Sequence, residues 1–130
     1  MAKRRMSKKR RNEALANEIR EWLLDNEMWV DTYIYFNGKA YSTSDKETKK
    51  FYYNDRDHLI VLENEDPRNY FEYVADPHIL SMSFEGPLYD VLNAYMPGWT
   101  RLEEEFRRIF EKYGVYYELG NSWNLTCCEI

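Results

Sequence analysis

The apolar positions of this chain change period several times. Leu15, Ile19, Trp22 and Leu23 recur at helical spacing and predict a helix over 12–26, with Glu13, Asn17, Arg20 and Glu21 on the opposite face. Asn12 is the expected N-cap, with Glu13 favourably placed in the first turn. The period then shortens to that of strands. Segments 32–36 and 39–43 flank Asn37-Gly38, a pair that tolerates the two positive φ angles of a type I′ turn. That turn sets Phe36 opposite Lys39, Tyr35 opposite Ala40 and Ile34 opposite Tyr41. A second strand pair, 49–53 with 58–62, is expected around Asn54-Asp55-Arg56-Asp57. Leu59-Ile60-Val61-Leu62 is apolar throughout and predicts a central strand covered on both faces.

Asp66-Pro67 has the form of a helix start and predicts one or two turns over 68–73. Leu80, Met82 and Phe84 alternate with Ser81 and Ser83, which predicts a half-buried strand. Gly86-Pro87 opens a short helix with Leu88, Val91, Leu92 and Tyr95 on one side, and Pro97-Gly98 breaks it. Thr100 and Glu103 match a capping box. The helix that follows carries Leu102, Phe106, Ile109, Phe110 and Tyr113, and Gly114 sits where a left-handed C-terminal cap belongs. Segments 115–119 and 122–128 flank Gly120-Asn121, which suits a type II′ turn and would set Tyr116 beside Leu125 and Glu118 opposite Trp123.

No regular βαβ alternation results. The expectation is a single α+β domain over 12–130, a mostly antiparallel sheet with an N-terminal helix and C-terminal helices on one face and a closing β-hairpin. Its expected core is Leu15, Ile19, Trp22, Ile60, Leu62, Leu80, Phe84, Leu88, Leu92, Leu102, Phe106, Ile109 and Leu125.

Charge adds a second division. Residues 1–20 carry a net charge of +6 and the other 110 carry −11, giving −5 over 130 residues. Residues 1–11 hold Lys3, Arg4, Arg5, Lys8, Lys9, Arg10 and Arg11 and read as a flexible basic arm that contributes little to folding. No apolar run reaches the roughly 20 residues of a membrane span, and no apolar stretch follows the basic start as in a secretory signal. The two cysteines, Cys127 and Cys128, are adjacent. Reduced thiols in a cytoplasmic protein are expected, one in the core and one at the surface.

Motifs for common chemistry are missing. The five glycines fit neither a dinucleotide fingerprint nor a P-loop, and no Gly-x-Ser-x-Gly, His-Glu-x-x-His or Cys-x-x-Cys sequence occurs. No cofactor, no metal site and no catalytic residue is assigned. An enzyme remains the weakest reading, and it would use His58 or His78 with a carboxylate or cysteine. The 12 tyrosines exceed what a core needs, because each buried hydroxyl requires a partner. Surplus Tyr on strands suits either an interface or a solvated sheet face.

Two binding readings follow. In the first, an acidic, Tyr-rich surface contacts a basic protein partner, with Glu63, Glu65, Glu72, Glu104, Glu111, Tyr35 and Tyr53 as the binding residues. In being short, acidic and without enzyme motifs, the chain is similar to small inhibitors encoded by phages and mobile elements. Such inhibitors occupy basic grooves that otherwise hold nucleic acid. No residues identify a particular family. In the second reading, the arm residues Lys3, Arg4, Arg5, Lys8, Lys9, Arg10 and Arg11 bind nucleic acid phosphates. A homo-oligomer is compatible with both.

Overall fold

The computed structural model describes residues 7–130. The chain forms α1 (Lys8–Asp25), β1 (Thr32–Phe36), β2 (Lys39–Ser42), β3 (Ile60–Glu63), a 3₁₀ turn (Pro67–Asn69), β4 (Ser81–Phe84), α2 (Pro87–Leu92), α3 (Trp99–Lys112), β5 (Val115–Asn121) and β6 (Asn124–Glu129). All six strands join one antiparallel sheet in the order β3-β2-β1-β4-β6-β5. The fold is α+β, with the N-terminal helix and two later helices and a closing hairpin of β5 and β6.

Strand alternation sorts side chains onto two faces. Ile34, Phe36, Tyr41, Met82, Phe84, Leu125 and Cys127 meet Leu15, Ile19 and Leu23 of α1, Leu88 and Val91 of α2, and Leu102, Phe106 and Phe110 of α3 in the main core. The alternate positions carry Tyr33, Tyr35, Ala40 and Leu62, and they meet Phe71, Val74 and Trp123 instead of a helix. A strap over 66–74 that contains no α-helix therefore covers part of the second face.

The Asn37-Gly38 turn has φ of 51° and 76°, and its pairing is Phe36 with Lys39, Tyr35 with Ala40 and Ile34 with Tyr41, as the turn chemistry requires. Gly114 has φ of 75° after α3, and Cys127 is buried while Cys128 is half-buried. Several expectations are corrected. Helix α1 begins at Lys8, because the Ser7 Oγ accepts a hydrogen bond from the Arg10 N–H and Arg11 reaches Glu129 at 2.9 Å. Residues 49–53 form no strand. Lys49 and Asn54 take positive φ, and the segment folds back through a bridge between Ser44 and Phe51. The 58–62 segment therefore pairs with β2 alone and lies at the sheet edge, leaving Leu59 and Val61 43% and 39% exposed and Ile60 and Leu62 only half-buried. Trp22 and Leu92 lie at the margin of the main core.

Helix α3 starts one residue before Thr100, with Gly98 at its cap and no side-chain cap bond, so the capping box does not form. The 66–70 segment makes a single 3₁₀ turn, although Asp66 does cap it through the Arg68 N–H at 2.9 Å. The closing hairpin turns at Ser122-Trp123 rather than Gly120-Asn121, with Asn121 opposite Asn124. The Asn121 Oδ1 accepts the Trp123 N–H at 2.9 Å, an Asx turn that competes with the type II′ turn. Gly120 makes this possible: a Cβ there would lie 2.3 Å from the Asn124 Oδ1. Tyr116 is consequently opposite Cys128 and Glu118 opposite Thr126.

Candidate functional site

The helix-free face contains a cleft whose origin lies in strand register. Tyr33 stands between Ser42 and Ser83, and Tyr35 between Ala40 and Ser81. Large rings flanked on both sides by small residues leave a hollow that close packing would otherwise fill. The strap supplies Tyr70 and Phe71 as one wall, and the tip of the closing hairpin supplies Trp123. Together with Lys46, Asn69 and Ser83, these rings line an open hollow of about 500 Å³. A second hollow of about 260 Å³ shares Tyr33, Ser83 and Trp123 and adds Asp31, Thr43, Ser44, Phe51 and Glu85. The two form one cleft with an aromatic end and an acidic end.

The rings support one another. Tyr33 and Tyr35 stack with centroids 5.9 Å apart and planes 13° apart. Phe71 meets Tyr35 edge-on at 5.4 Å and Trp123 at 5.7 Å. Such pairs fix the rings against one another and present their faces to the hollow. Tyr35 is only 5% exposed, and burial, followed by its neighbour Tyr33, pushes its hydroxyl well above the usual range. It is a fixed, neutral wall. The Tyr33 hydroxyl is 2.9 Å from the Ser44 Oγ, which ties β1 to the 44–51 loop.

The acidic end is positioned by backbone. The Glu85 N–H donates to the Asp31 carbonyl at 3.0 Å, which sets the two residues side by side. Gly86 permits this approach, since a Cβ there would lie 2.4 Å from the Val30 carbonyl oxygen. Asp31 accepts a hydrogen bond from the Tyr53 hydroxyl, and that bond pushes the Tyr53 hydroxyl up to about 12. Among the described residues, the one cation lining either hollow is Lys46, and its Nζ is 2.7 Å from the Glu65 Oε1. The cleft therefore carries a net negative charge that its own lysine does not offset.

The residues expected to form one acidic surface are divided. Tyr35 forms a wall of the cleft, Tyr53 lies exposed at its rim, and Glu65 sits behind Lys46 and Tyr70 at its far end. Glu63 and Glu72 are exposed on β3 and the strap. Glu104 and Glu111 are exposed on α3, a helix that belongs to the other side of the sheet, and Arg107 approaches Glu111 at 3.8 Å there. Of the basic arm, Lys8, Lys9 and Arg10 are exposed on the first turn of α1, and Arg11 is paired with Glu129. Lys3, Arg4 and Arg5 lie outside the described residues.

Sequence reasoning missed Tyr33, Phe71, Trp123, Asp31, Glu85 and Lys46. The alternation Tyr33, Ile34, Tyr35, Phe36 beside Ser81, Met82, Ser83, Phe84 was the available signal: two tyrosines and two serines share the face opposite the apolar set.

Neither histidine assembles a nucleophile. His58 is exposed, bonded to Asp55 and stacked on Tyr52 at 4.7 Å. Burial, then the nearby Arg68 guanidinium, lowers His78 to about 4, so it is neutral near pH 7. Its Nε2 lies 2.9 Å from the Ser81 Oγ, which is fully buried and donates to the Thr126 Oγ1 at 3.0 Å. That chain ties the segment leading into β4 to β4 and β6. No group of three or more His, Cys, Asp or Glu among the described residues has metal-binding geometry, and no helix among them is long and apolar enough to cross a membrane. Comparison with known proteins finds no matching family model, no matching curated protein and no matching solved structure.

Proposed function

We propose that this protein is a non-enzymatic binding module whose aromatic and acidic cleft grips a basic segment of a protein partner. The single observation that carries this reading is the composition of the cleft. Tyr33, Tyr35, Phe71 and Trp123 line a preformed hollow, and Asp31 and Glu85 line the hollow that adjoins it. Ring faces attract Lys and Arg side chains, and desolvation by the cleft walls strengthens that attraction. The carboxylates add steering of a cationic partner and disfavour phosphates. The partner surface that fits is one rich in arginine or lysine, the kind that otherwise holds nucleic acid.

Calorimetric titration of the whole chain with a tetra-arginine peptide tests this. Tetra-arginine should bind, and a tetra-glutamate peptide should not. Asp31→Asn together with Glu85→Gln should weaken tetra-arginine by about tenfold, the effect of losing a close charge contact in a partly desolvated site. Equal binding by this double variant would remove the cleft from the mechanism. If an oligonucleotide bound instead, and removal of the charges at Lys8, Lys9 and Arg10 abolished it, the basic arm would be the functional element.

A further inference from the structure

The cleft already holds one cation, and it is the chain's own. The Lys46 Nζ lies 2.7 Å from the Glu65 Oε1 and 5.9 Å from the centroid of the Tyr70 ring. Glu65 is oriented from its other side by the Tyr70 hydroxyl, which donates to its Oε2 at 3.0 Å. The two partners differ in exposure: the Glu65 side chain is 12% exposed and that of Lys46 is 51%. A mostly buried carboxylate thus sits beneath an ammonium carried on an exposed loop, with an aromatic face beside both. Carboxylate, hydroxyl and ring are the groups that a site for a cationic side chain requires.

We infer that Lys46 is an intramolecular stand-in for the partner's cationic side chain, and that an incoming arginine displaces it from Glu65 and takes its place beside Tyr70. This inference rests on the cleft being the binding site and adds the group it recognises and a competitor built into the fold. The exchange leaves no buried carboxylate unpaired at any stage, because one cation replaces another. Arginine is the better occupant, since its planar fork can bond a carboxylate with two parallel N–H groups and stack on a ring, whereas an ammonium offers a point charge. The released Lys46 moves into solvent on a loop that is already exposed.

Tetra-arginine binding to Lys46→Met, Glu65→Gln and the double variant tests the exchange, with Lys112→Met on α3 as a charge-matched control. Thermal midpoints should show all four folded. Lys46→Met should bind tetra-arginine roughly twofold to fivefold more tightly than the wild type, the range that a partly exposed ion pair can compete away. Lys112→Met should not. Glu65→Gln should weaken binding, and adding Lys46→Met to it should restore nothing. Unchanged or weaker binding by Lys46→Met overturns the exchange while leaving the cleft as the site, provided that Asp31→Asn with Glu85→Gln still weakens the peptide. An equal gain from Lys112→Met also overturns it, since net charge alone would then explain the effect. Failure of the wild type to bind tetra-arginine removes the underlying reading and this inference together.

Discussion

On one side of the sheet, Ile34, Phe36, Met82, Phe84 and Leu125 are sealed under three helices; on the other, Tyr33, Tyr35, Ser81 and Ser83 of the same strands lie under a strap that covers only part of them. The backbone is shared and so is the register. Only the alternate side chains differ. The helix side uses side chains without hydroxyls at most positions, and it can therefore be dry and closely packed. The strap side uses hydroxyls that bond one another, Tyr33 with Ser44 and Ser81 with Thr126, and Ser and Ala beside Tyr leave space. One face thus holds the fold together, and the other is free to hold a ligand.

Substitutions on the two faces should separate in kind as well as in size. Phe106 is fully buried and packs on Trp22, Phe110 and Tyr117 at 5.3, 4.8 and 5.3 Å. Phe106→Ala should lower unfolding free energy by about 3–5 kcal/mol in urea titration. Trp123→Ala on the strap side should cost only about 1–2 kcal/mol, because the ring is half-buried and water can enter the cleft, yet it should remove most tetra-arginine binding. Equal stability losses at the two sites would break the division between a structural and a binding face.

A smaller effect should appear with pH on the strap side alone. His78 titrates at about 4 in the folded chain against an ordinary value near 6.5. The unfolded chain therefore takes up this proton first as pH falls. The stability contribution is complete above about 6.5 and is lost progressively down to about 4, by roughly 1–2 kcal/mol after allowance for solvent screening. Thermal midpoints of the wild type and His78→Gln should converge as pH falls through that window. A constant difference between them would mean that His78 is not held neutral by its burial in the folded chain.

The smallest effect is expected on α3. Reversing Glu104 and Glu111 to Lys should change stability by less than about 0.5 kcal/mol, because both are exposed and the 3.8 Å pairing of Glu111 with Arg107 is weak. Peptide affinity should fall far less than with Asp31→Asn and Glu85→Gln. A larger fall would move the binding surface to the helix side and restore α3 as an acidic contact.

Local chemistry accounts for what could be read from the residues alone. Asn37-Gly38 needs no partner to favour a type I′ turn, and once that turn forms, the β1–β2 register follows. The stripe Leu102, Phe106, Ile109 and Phe110 makes α3 a helix wherever it docks. The proposed cleft was only partly legible. Tyr35 lines it and Glu65 lies behind Lys46 at its far end, but Glu104 and Glu111 share only their charge with Glu65, and charge composition carries no information about which side of a sheet a residue occupies.

The sequence by itself determined the α+β class, the first hairpin, the later helices and the apolar and polar sides of β1 and β4, because each depends on periodicity or a turn within a few residues. Tertiary structure alone decided that 58–62 is an edge strand and that the strap crosses the Tyr face. Those outcomes depend on partners far apart in the chain: β2 for the edge strand, and Tyr35 and Trp123 for Phe71 of the strap. An apolar run such as Leu59 to Leu62 specifies that burial is favourable, not how much neighbouring structure will be there to supply it.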